Sequence, residues 1–576
     1  MKPSRLALRA LNDYRRLSPF AYLGLRYSLL AAAAQDDRWA TEIAPDILRR
    51  QALPAYLPAR LYKQVVGKHK LDYRDVSIPG GNQALAEAAL LSACSAVGGP
   101  FAPGEDVFSY HLASPSSLEG CFKPYFKLFT ARHRAIAKAC RRWPEGLVLY
   151  ADIKSFYPSV TQHQAVKVWC DSCDAADLDP DWRKIGQLLL EGQRSLKQGL
   201  LIGPMFSHVI GNLLLLGFDK VMRRRFRGRY FRYVDDVALV VPPESEVSSL
   251  RFIREQLKPL RLRLNPDKIF PLSAQEWLSS APYQALEYGE EDTTDDKCWM
   301  RFIDRLKCYL MANPDRYHKL VRAFRDREIR ISLPRYRAGV EDARYAERFA
   351  RRLALTRFRG LVAHLTSQRL LNEAEDLRKV YGQEFQLCWE QFQSAERLAR
   401  KWVGSRLRYL LGRLMLLAPE SELGRLAERL VGVPEFAEYQ ACFHALATQD
   451  VSELVRFSGK VCAAAGQALA TTRRSVRCEP KRWSDEAIEG YVTLVLVGLD
   501  VIASPPRQVS HDERVRFAFG DFGYDTWVKT KSPFFQELFA LAGTSTIQRH
   551  RELLDAPSDP DERWVLFADE LRGPYS

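Results

Sequence analysis

Two apolar segments that carry acidic residues constrain most strongly what this chain can fold into. Tyr230–Val241 contains two strand-like halves around the adjacent acids Asp235 and Asp236. This pattern predicts a β-hairpin with both acids at or beside its tip. Leu147–Asp152 is a short apolar run that ends in a carboxylate. It predicts a buried strand with Asp152 at its end.

The three carboxylates indicate metal-dependent chemistry. Carboxylates in apolar surroundings are costly unless a cation compensates them. On neighbouring strand ends they can hold two Mg²⁺ ions about 4 Å apart, with Mn²⁺ as a substitute. Such ions activate a hydroxyl and neutralise a triphosphate, and phosphoryl transfer needs mainly positioning and charge neutralisation. The alternative is structural, because a lone Asp after a strand, or Asp-Asp in a hairpin, is commonly a turn residue or a helix cap.

The segment between these strands adds a second signal. Gln198–Leu213 starts as a glycine-containing loop and passes through a Gly203-Pro204 turn into an apolar stretch. Glycines let the backbone approach a base pair or a phosphate closely. The alternative is an ordinary loop followed by a core helix.

Four segments, in this order and spacing, resemble the palm motifs of reverse transcriptases. They begin at Asp152 (Asp-x-x-x-Phe-Tyr-Pro-Ser), Gln198 (Gln-Gly-x-x-x-Gly-Pro-x-x-Ser), Tyr233 (Tyr-Val-Asp-Asp) and Leu262 (Leu-Arg-Leu-Asn-Pro-Asp-Lys). The resemblance covers about residues 50–290. It implies an α+β, right-hand polymerase with fingers and a palm built on a split βαβ sheet. The helical pattern after the palm predicts a large all-α C-terminal domain.

Three regions are therefore expected along the chain. Residues 1–145 would form N-terminal helices and fingers, 146–290 the palm with the catalytic motifs, and 291–576 an α-helical region with a thumb-like start and stacked helices. A separate small unit from about residue 505 is an open alternative. Within the fingers, residues 73–79 alternate like a strand. The Gly80-Gly81-Asn82 sequence that follows predicts a turn.

The resemblance also implies roles for single residues around the metals. Asp152 and Asp235 correspond to the main metal ligands, and Asp236 to the third catalytic carboxylate. Ile153 would lend its backbone carbonyl to a metal.

Further roles implied by the resemblance concern the nucleotide. Tyr157 corresponds to an aromatic that closes against the sugar 2′ position and favours dNTPs; its alternative is core packing. Gln198 and Gly199 would touch the incoming nucleotide and the templating base. Lys268 resembles the lysine proposed as acid for pyrophosphate, with a solvated loop lysine as the alternative. Arg74 is the candidate for the triphosphate.

Two features separate the chain from familiar reverse transcriptases. These often carry a second Lys or Arg across a fingers hairpin, whereas residues 80–89 here read Gly-Gly-Asn-Gln-Ala-Leu-Ala-Glu-Ala-Ala. No ribonuclease H, integrase or intron endonuclease segment is recognisable after the palm. The long helical second half is similar to the bacterial defence reverse transcriptases, the abortive-infection and unknown-group class.

The resemblance implies a cytoplasmic RNA-directed DNA polymerase in antiphage defence. Its partners would be an RNA template or noncoding RNA, dNTPs and a DNA product, with a homo-oligomer or a partner protein as a further expectation and no membrane. A formal net charge of +15 and a pI of about 9.2 agree with a polyanionic partner. The eleven cysteines follow no disulfide framework, which indicates reduced thiols.

Alternative functions stay open at the level of the sequence. One is a template-independent or protein-primed DNA polymerase of the same fold, for which Tyr575 is a candidate priming hydroxyl. Another is an intron maturase-like, RNA-binding splicing cofactor. The arginines of the helical half line an RNA channel or form a solvated face; they include Arg344, Arg348, Arg351 and Arg352.

Overall fold

The computed structural model describes most of the chain. The described residues are 3–14, 17–32, 46, 54–67, 70–117, 120–194, 199–279, 299–333, 365–395, 397–472, 475–521 and 528–555. Gln198, the cluster Arg344–Arg352 and Tyr575 lie outside these described residues, so the expectations attached to them stay predictions.

The first region combines helices with one long β-hairpin. Its elements are α1 (Pro3–Tyr14), α2 (Pro19–Ala32), β1 (Tyr56–Val66), β2 (Lys70–Pro79), α3 (Gly81–Val97) and α4 (Tyr125–Arg142). β1 and β2 pair antiparallel along their length. The strand expected over residues 73–79 is confirmed as the second half of β2.

The turn predicted at Gly80-Gly81-Asn82 is wrong, because α3 begins there directly. The backbone N–H of Asn82 donates to Oε1 of Glu537 at 2.8 Å. This bond satisfies a donor that the start of a helix would otherwise leave unpaired. Local sequence predicted a turn because the carboxylate that caps this helix lies more than 450 residues away in the chain.

The part of the chain expected to form the palm, for which that name is kept below, contains a four-stranded antiparallel sheet with helices on both faces. Its elements are β3 (Leu147–Asp152), α5 (Phe156–Ser159), α6 (Gln162–Ala176), α7 (Pro180–Arg194), α8 (Met205–Arg225), β4 (Tyr230–Tyr233), β5 (Asp236–Val241), α9 (Glu246–Leu257), β6 (Phe270–Ser273) and α10 (Ala274–Leu278). The strand order is β4-β5-β3-β6. Since β5 is antiparallel to both neighbours, β3 and β4 are parallel and separated by it. This is the predicted split βαβ arrangement.

Side chains of the palm strands alternate between two hydrophobic cores. Leu149 and Leu239 point to the larger core, which includes residues of α8 and α9. Val148 and Val240 point to a smaller core formed with α4 and α10. Both faces of the sheet are thus covered.

By length and apolar composition α8 alone among the described helices could cross a membrane, but 61% of its most apolar window is buried.

The region after the palm is mostly helical. Its helices are α11 (Trp299–Ala312), α12 (Tyr317–Asp326), α13 (Ser367–Ser394), α14 (Arg397–Leu417), α15 (Glu420–Arg429), α16 (Ala437–Thr448), α17 (Ser458–Thr472), α18 (Asp485–Leu496), α19 (Arg507–Ser510), α20 (Glu513–Ala518), α21 (Pro533–Ala542) and α22 (Ile547–Asp555). The expectation of an all-α region is corrected by two paired parallel strands, β7 (Ser475–Arg477) and β8 (Asp500–Ile502). Three-residue strands are too short for alternation to show in the sequence.

The hairpin β1–β2 packs against helices of this last region. The ring of Tyr62 lies 4.9 Å from that of Phe457 in an edge-on contact. The Tyr73 hydroxyl donates to the backbone carbonyl of Arg456 at 2.6 Å, and Arg60 pairs with Glu486 at 2.6 Å. The hairpin is therefore braced by segments that follow the palm. The domain boundaries expected near 145, 290 and 505 stay predictions.

Candidate active site

The three acids singled out in the sequence lie at one end of the palm sheet. Asp152 ends β3 and is the register partner of Asp236, which begins β5. Asp235 lies in the turn between β4 and β5, and its backbone carbonyl accepts a hydrogen bond from the N–H of Ile153 at 3.0 Å. Asp152 is 5% exposed, whereas Asp236 is exposed. The strand ends thus bring buried and accessible carboxylates together.

The turn that carries Asp235 holds a strained residue in place. Val234 has a φ of +55°, a left-handed conformation that costs a β-branched residue roughly 1–2 kcal/mol. Its N–H donates to Oγ of Ser109 at 2.8 Å, and its carbonyl accepts from Nη1 of Arg232 at 2.8 Å. Both backbone groups of the strained residue are therefore satisfied.

Arg232 is itself fixed by a buried ion pair. Its guanidinium binds Asp219 of α8 with two hydrogen bonds, at 2.8 and 2.7 Å. The Tyr230 hydroxyl donates to the same carboxylate at 2.5 Å, and the side chains of Arg232 and Asp219 are 1% and 8% exposed. Sequence reasoning missed this pair, although a lone charge inside an apolar strand or helix is a signal for a buried partner.

The carboxylates repel one another. Burial raises the pKa of Asp235 to about 6, and the charges of Asp236 and then Asp152 add to the rise. Nζ of Lys268 lies 2.8 Å from Oδ2 of Asp152. Partial burial lowers the pKa of this ammonium, but the hydrogen bond to Asp152 and the charges of all three acids outweigh it, so the pKa is raised. One cation already lies in this negative site.

The donor chemistry at this end of the sheet fits magnesium. Carboxylate and backbone carbonyl oxygens are the ligands that hard divalent cations prefer, and the site carries an excess of negative charge. The side chains are not gathered as a ready-made group, since no three His, Cys, Asp or Glu residues in the described ranges form one. In this arrangement the Asp152 carboxylate binds Lys268 and, at 3.4 Å, Asn265. An ion held by Asp152 would take the place of the Lys268 ammonium.

Tyr157 is buried beside the acids, within a group of aromatic rings. Its hydroxyl oxygen lies 2.6 Å from Nδ1 of His208, and the His208 ring stacks on Tyr110 with centroids 3.8 Å apart. Burial lowers the pKa of His208 to about 3, so its imidazole is neutral. The first cause of the raised pKa of Tyr157 is burial, and the charge of Asp235 contributes. Tyr110 and His208 are site neighbours that sequence reasoning did not find.

The loop with Gly199 passes close to the segment after β3. Gly199 has a φ of +86°, and a Cβ there would lie 2.4 Å from the backbone carbonyl of Pro158. Any side chain at this position would clash, so the glycine is required by close backbone approach. Arg74 is exposed on β2, and its charge acts on Tyr110, as does that of Asp235. Gln198 lies just outside the described residues.

A buried carboxyl group ties the end of this loop to α1 and α3. Oε2 of Glu87, in α3, accepts hydrogen bonds from the hydroxyl of Tyr14 at 2.5 Å and from the N–H of Met205 at 3.0 Å. Met205 is the first residue of α8, so Glu87 satisfies one of the donors at that helix start. Burial raises the pKa of Glu87 to about 7, against the effect of these hydrogen bonds.

We expect Glu87 to make the stability of the fold depend on pH. In the unfolded chain the carboxyl loses its proton near the ordinary value of 4.5, against about 7 in the fold. Between these values the native state binds more protons, so the free energy of unfolding falls as pH rises, by up to about 1.4 kcal/mol per pH unit. Glu87→Gln removes this dependence and keeps an acceptor for Tyr14 and Met205. From pH 5 to pH 8 the melting temperature of the wild type should fall further than that of Glu87→Gln. Parallel pH profiles of the two proteins would contradict the assignment.

Comparison with known proteins identifies no family. No protein-family model matches the chain, and no curated protein matches it. Among solved structures that match is a telomerase from Candida albicans in complex with a TWJ fragment of telomeric RNA. It is 12% identical, with 65% of this chain and 69% of that chain covered and a TM-score of 0.27. At this TM-score the likeness carries no weight, and function has to be inferred from the site.

Proposed function

We propose that the chain is a reverse transcriptase, an RNA-directed DNA polymerase that builds DNA from dNTPs by two-metal phosphoryl transfer. The observation that carries the proposal is the placement of Asp152, Asp235 and Asp236 on adjacent strand ends of a split βαβ sheet. Burial and mutual repulsion make this placement costly for Asp235. Residues that served only as turns or helix caps would not need to meet.

The chemistry divides between the ions and the side chains. Asp152, Asp235, Asp236 and the carbonyl of Ile153 would hold two Mg²⁺ ions, which neutralise the triphosphate and favour loss of the proton from the attacking hydroxyl. The ammonium of Lys268 lies 2.8 Å from Asp152, and an ion bound by that carboxylate would displace it. The displaced ammonium can donate a proton or hydrogen bonds to the departing pyrophosphate. Gly199 leaves room for close approach of the backbone, and Arg74 supplies a further cation for phosphates.

Tyr157 gives the proposed enzyme its preference for deoxynucleotides. Its hydroxyl contacts Nδ1 of His208, and its ring packs edge-on against the His208 ring, so the Tyr157 side chain is fixed in position. A ring fixed in this way excludes the additional hydroxyl of a ribose sterically. Discrimination by the shape of such a pocket typically reaches about 10- to 100-fold.

We expect Tyr157→Val to raise the use of ribonucleotides by about 10- to 100-fold relative to deoxynucleotides. Tyr157→Phe is the matched control, because it keeps the ring and removes only the hydroxyl near His208. The measurement is the ratio of kcat/KM for a dNTP and the matching rNTP, which does not depend on the folded fraction of either variant. An unchanged ratio in Tyr157→Val would show that Tyr157 serves only in core packing.

The proposed biological role is bacterial antiphage defence. It is supported by the similarity of the long helical second half to the abortive-infection and unknown-group class. The net charge of +15 supports an RNA template or noncoding RNA as partner. Cytoplasmic location and association with a second copy or a partner protein belong to the same proposal.

Sequencing the nucleic acids made by the purified full-length chain tests the proposal. Protein incubated with dNTPs and Mg²⁺ should yield DNA complementary to an RNA that co-purifies with it. A homopolymer or short repeat would overturn templated synthesis and favour the template-independent alternative. DNA that remains attached to the protein after denaturation would indicate protein priming. Bound intron RNA without any DNA product would favour the maturase-like alternative.

A further inference from the structure

Two large aromatic side chains lie exposed near the start of α4. Tyr125 and Phe129 are 38% and 39% exposed. They are four residues apart, so they occupy neighbouring positions on one face of the helix. Exposed aromatic rings placed together beside a reactive site are a usual feature of binding surfaces.

This pair lies next to the proposed active site. The ring of Phe129 meets that of Tyr233 edge-on with centroids 5.8 Å apart. One turn further along α4, the guanidinium of Arg132 lies 5.9 Å from the centre of the Tyr233 ring. It also donates a hydrogen bond to the backbone carbonyl of Asp236 at 3.2 Å. Phe129 thus contacts the last residue of β4, two positions before Asp235.

The charge of α4 indicates what could bind there. The helix contains no Asp or Glu, and Arg132 is buried in it. Its exposed basic residues are Lys127, Arg134, Lys138, Arg141 and Arg142. Lys123, just before the helix, is exposed as well. Rings for stacking beside cations for phosphates are the combination by which proteins hold single-stranded nucleic acid. An acidic protein surface would use the cations but leave the rings without partners.

We propose that Tyr125 and Phe129 form a stacking platform for the terminal bases of the nucleic-acid strand whose 3′ end is extended. The proposal rests on the proposed function, because a strand bound to the platform is extended only if the acids beside it catalyse nucleotide addition. The bases stack on the two rings, and the phosphates lie near the basic residues around the helix start. The site binds single strands of any sequence, since every base offers a flat face.

A fluorescent base reports stacking directly. The full-length wild type, without dNTPs, is titrated with single-stranded DNA that carries 2-aminopurine at its 3′ end. The same DNA labelled at its 5′ end and an RNA of the same sequence form two further arms. Stacking on the rings quenches the 3′ label more strongly than the 5′ label. A preference for DNA or for RNA identifies the strand that occupies the site.

The Tyr125→Ala, Phe129→Ala variant is expected to bind about 5- to 100-fold more weakly and to lose the 3′ quenching. Tyr125→Phe combined with Phe129→Tyr keeps both rings and should behave as the wild type. Phe519→Ala is the matched control, since Phe519 is 46% exposed in the last region. Unchanged binding and quenching in the double alanine variant would overturn the platform. The platform would also be overturned if light scattering showed that the double alanine variant differs from the wild type only in its oligomeric state.

Failure of the platform can be told apart from failure of the proposed function. If the double alanine variant extends strands with the wild-type KM, the platform is refuted and the polymerase stands. If the wild type shows ring-dependent 3′ quenching but never incorporates a nucleotide, the polymerase is refuted and a binding surface remains.

Discussion

Replacing Asp235 and Asp236 together by alanine is expected to abolish nucleotide incorporation, with a loss well above the 10- to 100-fold that follows removal of a group merely supporting a metal ligand. Asp235 lies in the turn before β5 and Asp236 begins β5, so the variant removes two of the three carboxylates. It also removes the buried Asp235, whose pKa is raised by burial and then by the charges of Asp236 and Asp152. The variant should therefore be at least as stable as the wild type when Mg²⁺ is chelated.

The measurement is incorporation of labelled dNTP by the full-length chain, paired with melting temperatures in EDTA and in Mg²⁺. Asp267→Ala is the matched control, because Asp267 is an exposed carboxylate in the same turn as Lys268. It should retain activity and the stabilisation by Mg²⁺. A double variant that still polymerises at a comparable rate would show that the site has been assigned to the wrong residues.

Asp219→Asn is expected to destabilise the fold by about 3–5 kcal/mol, because it leaves the buried guanidinium of Arg232 without its counter-charge. The same change loosens the hydrogen bond from Arg232 to the strained Val234. Activity should therefore fall at temperatures where the variant is still folded. The two effects are separated by recording unfolding and incorporation at the same temperature.

Asp106→Asn supplies the comparison for this pair. Asp106 binds Arg223 in the same part of the molecule, but the Arg223 side chain is 39% exposed, and water screens the contact. Loss of such a pair typically costs at most about 1 kcal/mol. If Asp219→Asn cost no more than Asp106→Asn, the turn of Asp235 would have to be held by other contacts.

The parts of the site that sequence predicts well are those set by short apolar runs. The strand ending at Asp152 and the hairpin around Asp235 follow from local patterns, because a buried strand needs apolar residues whatever it packs against. The split βαβ order came from a resemblance rather than from periodicity. It agrees with the observed pairing of β3 with β5.

The parts that sequence does not reveal depend on partners distant in the chain. The Arg232–Asp219 pair joins a strand to a helix, and the Glu537 cap on α3 joins segments more than 450 residues apart. No local pattern encodes either contact. The ion pair of Lys268 with Asp152 belongs to the same class. The motif segments included both residues, but they did not indicate that the Lys268 ammonium would bind the Asp152 carboxylate.

The position of the last described helix has a consequence for synthesis of the chain. Tyr27 of α2 lies 2.8 Å from His550 of α22, 523 residues later, and Phe20 packs on Phe535 of α21. During synthesis α1 and α3 can already pack against α2, but the part of α2 that contacts α21 and α22 stays exposed until those two helices have been made. A nascent or prematurely terminated chain would contain all the palm motifs and still lack a finished fold.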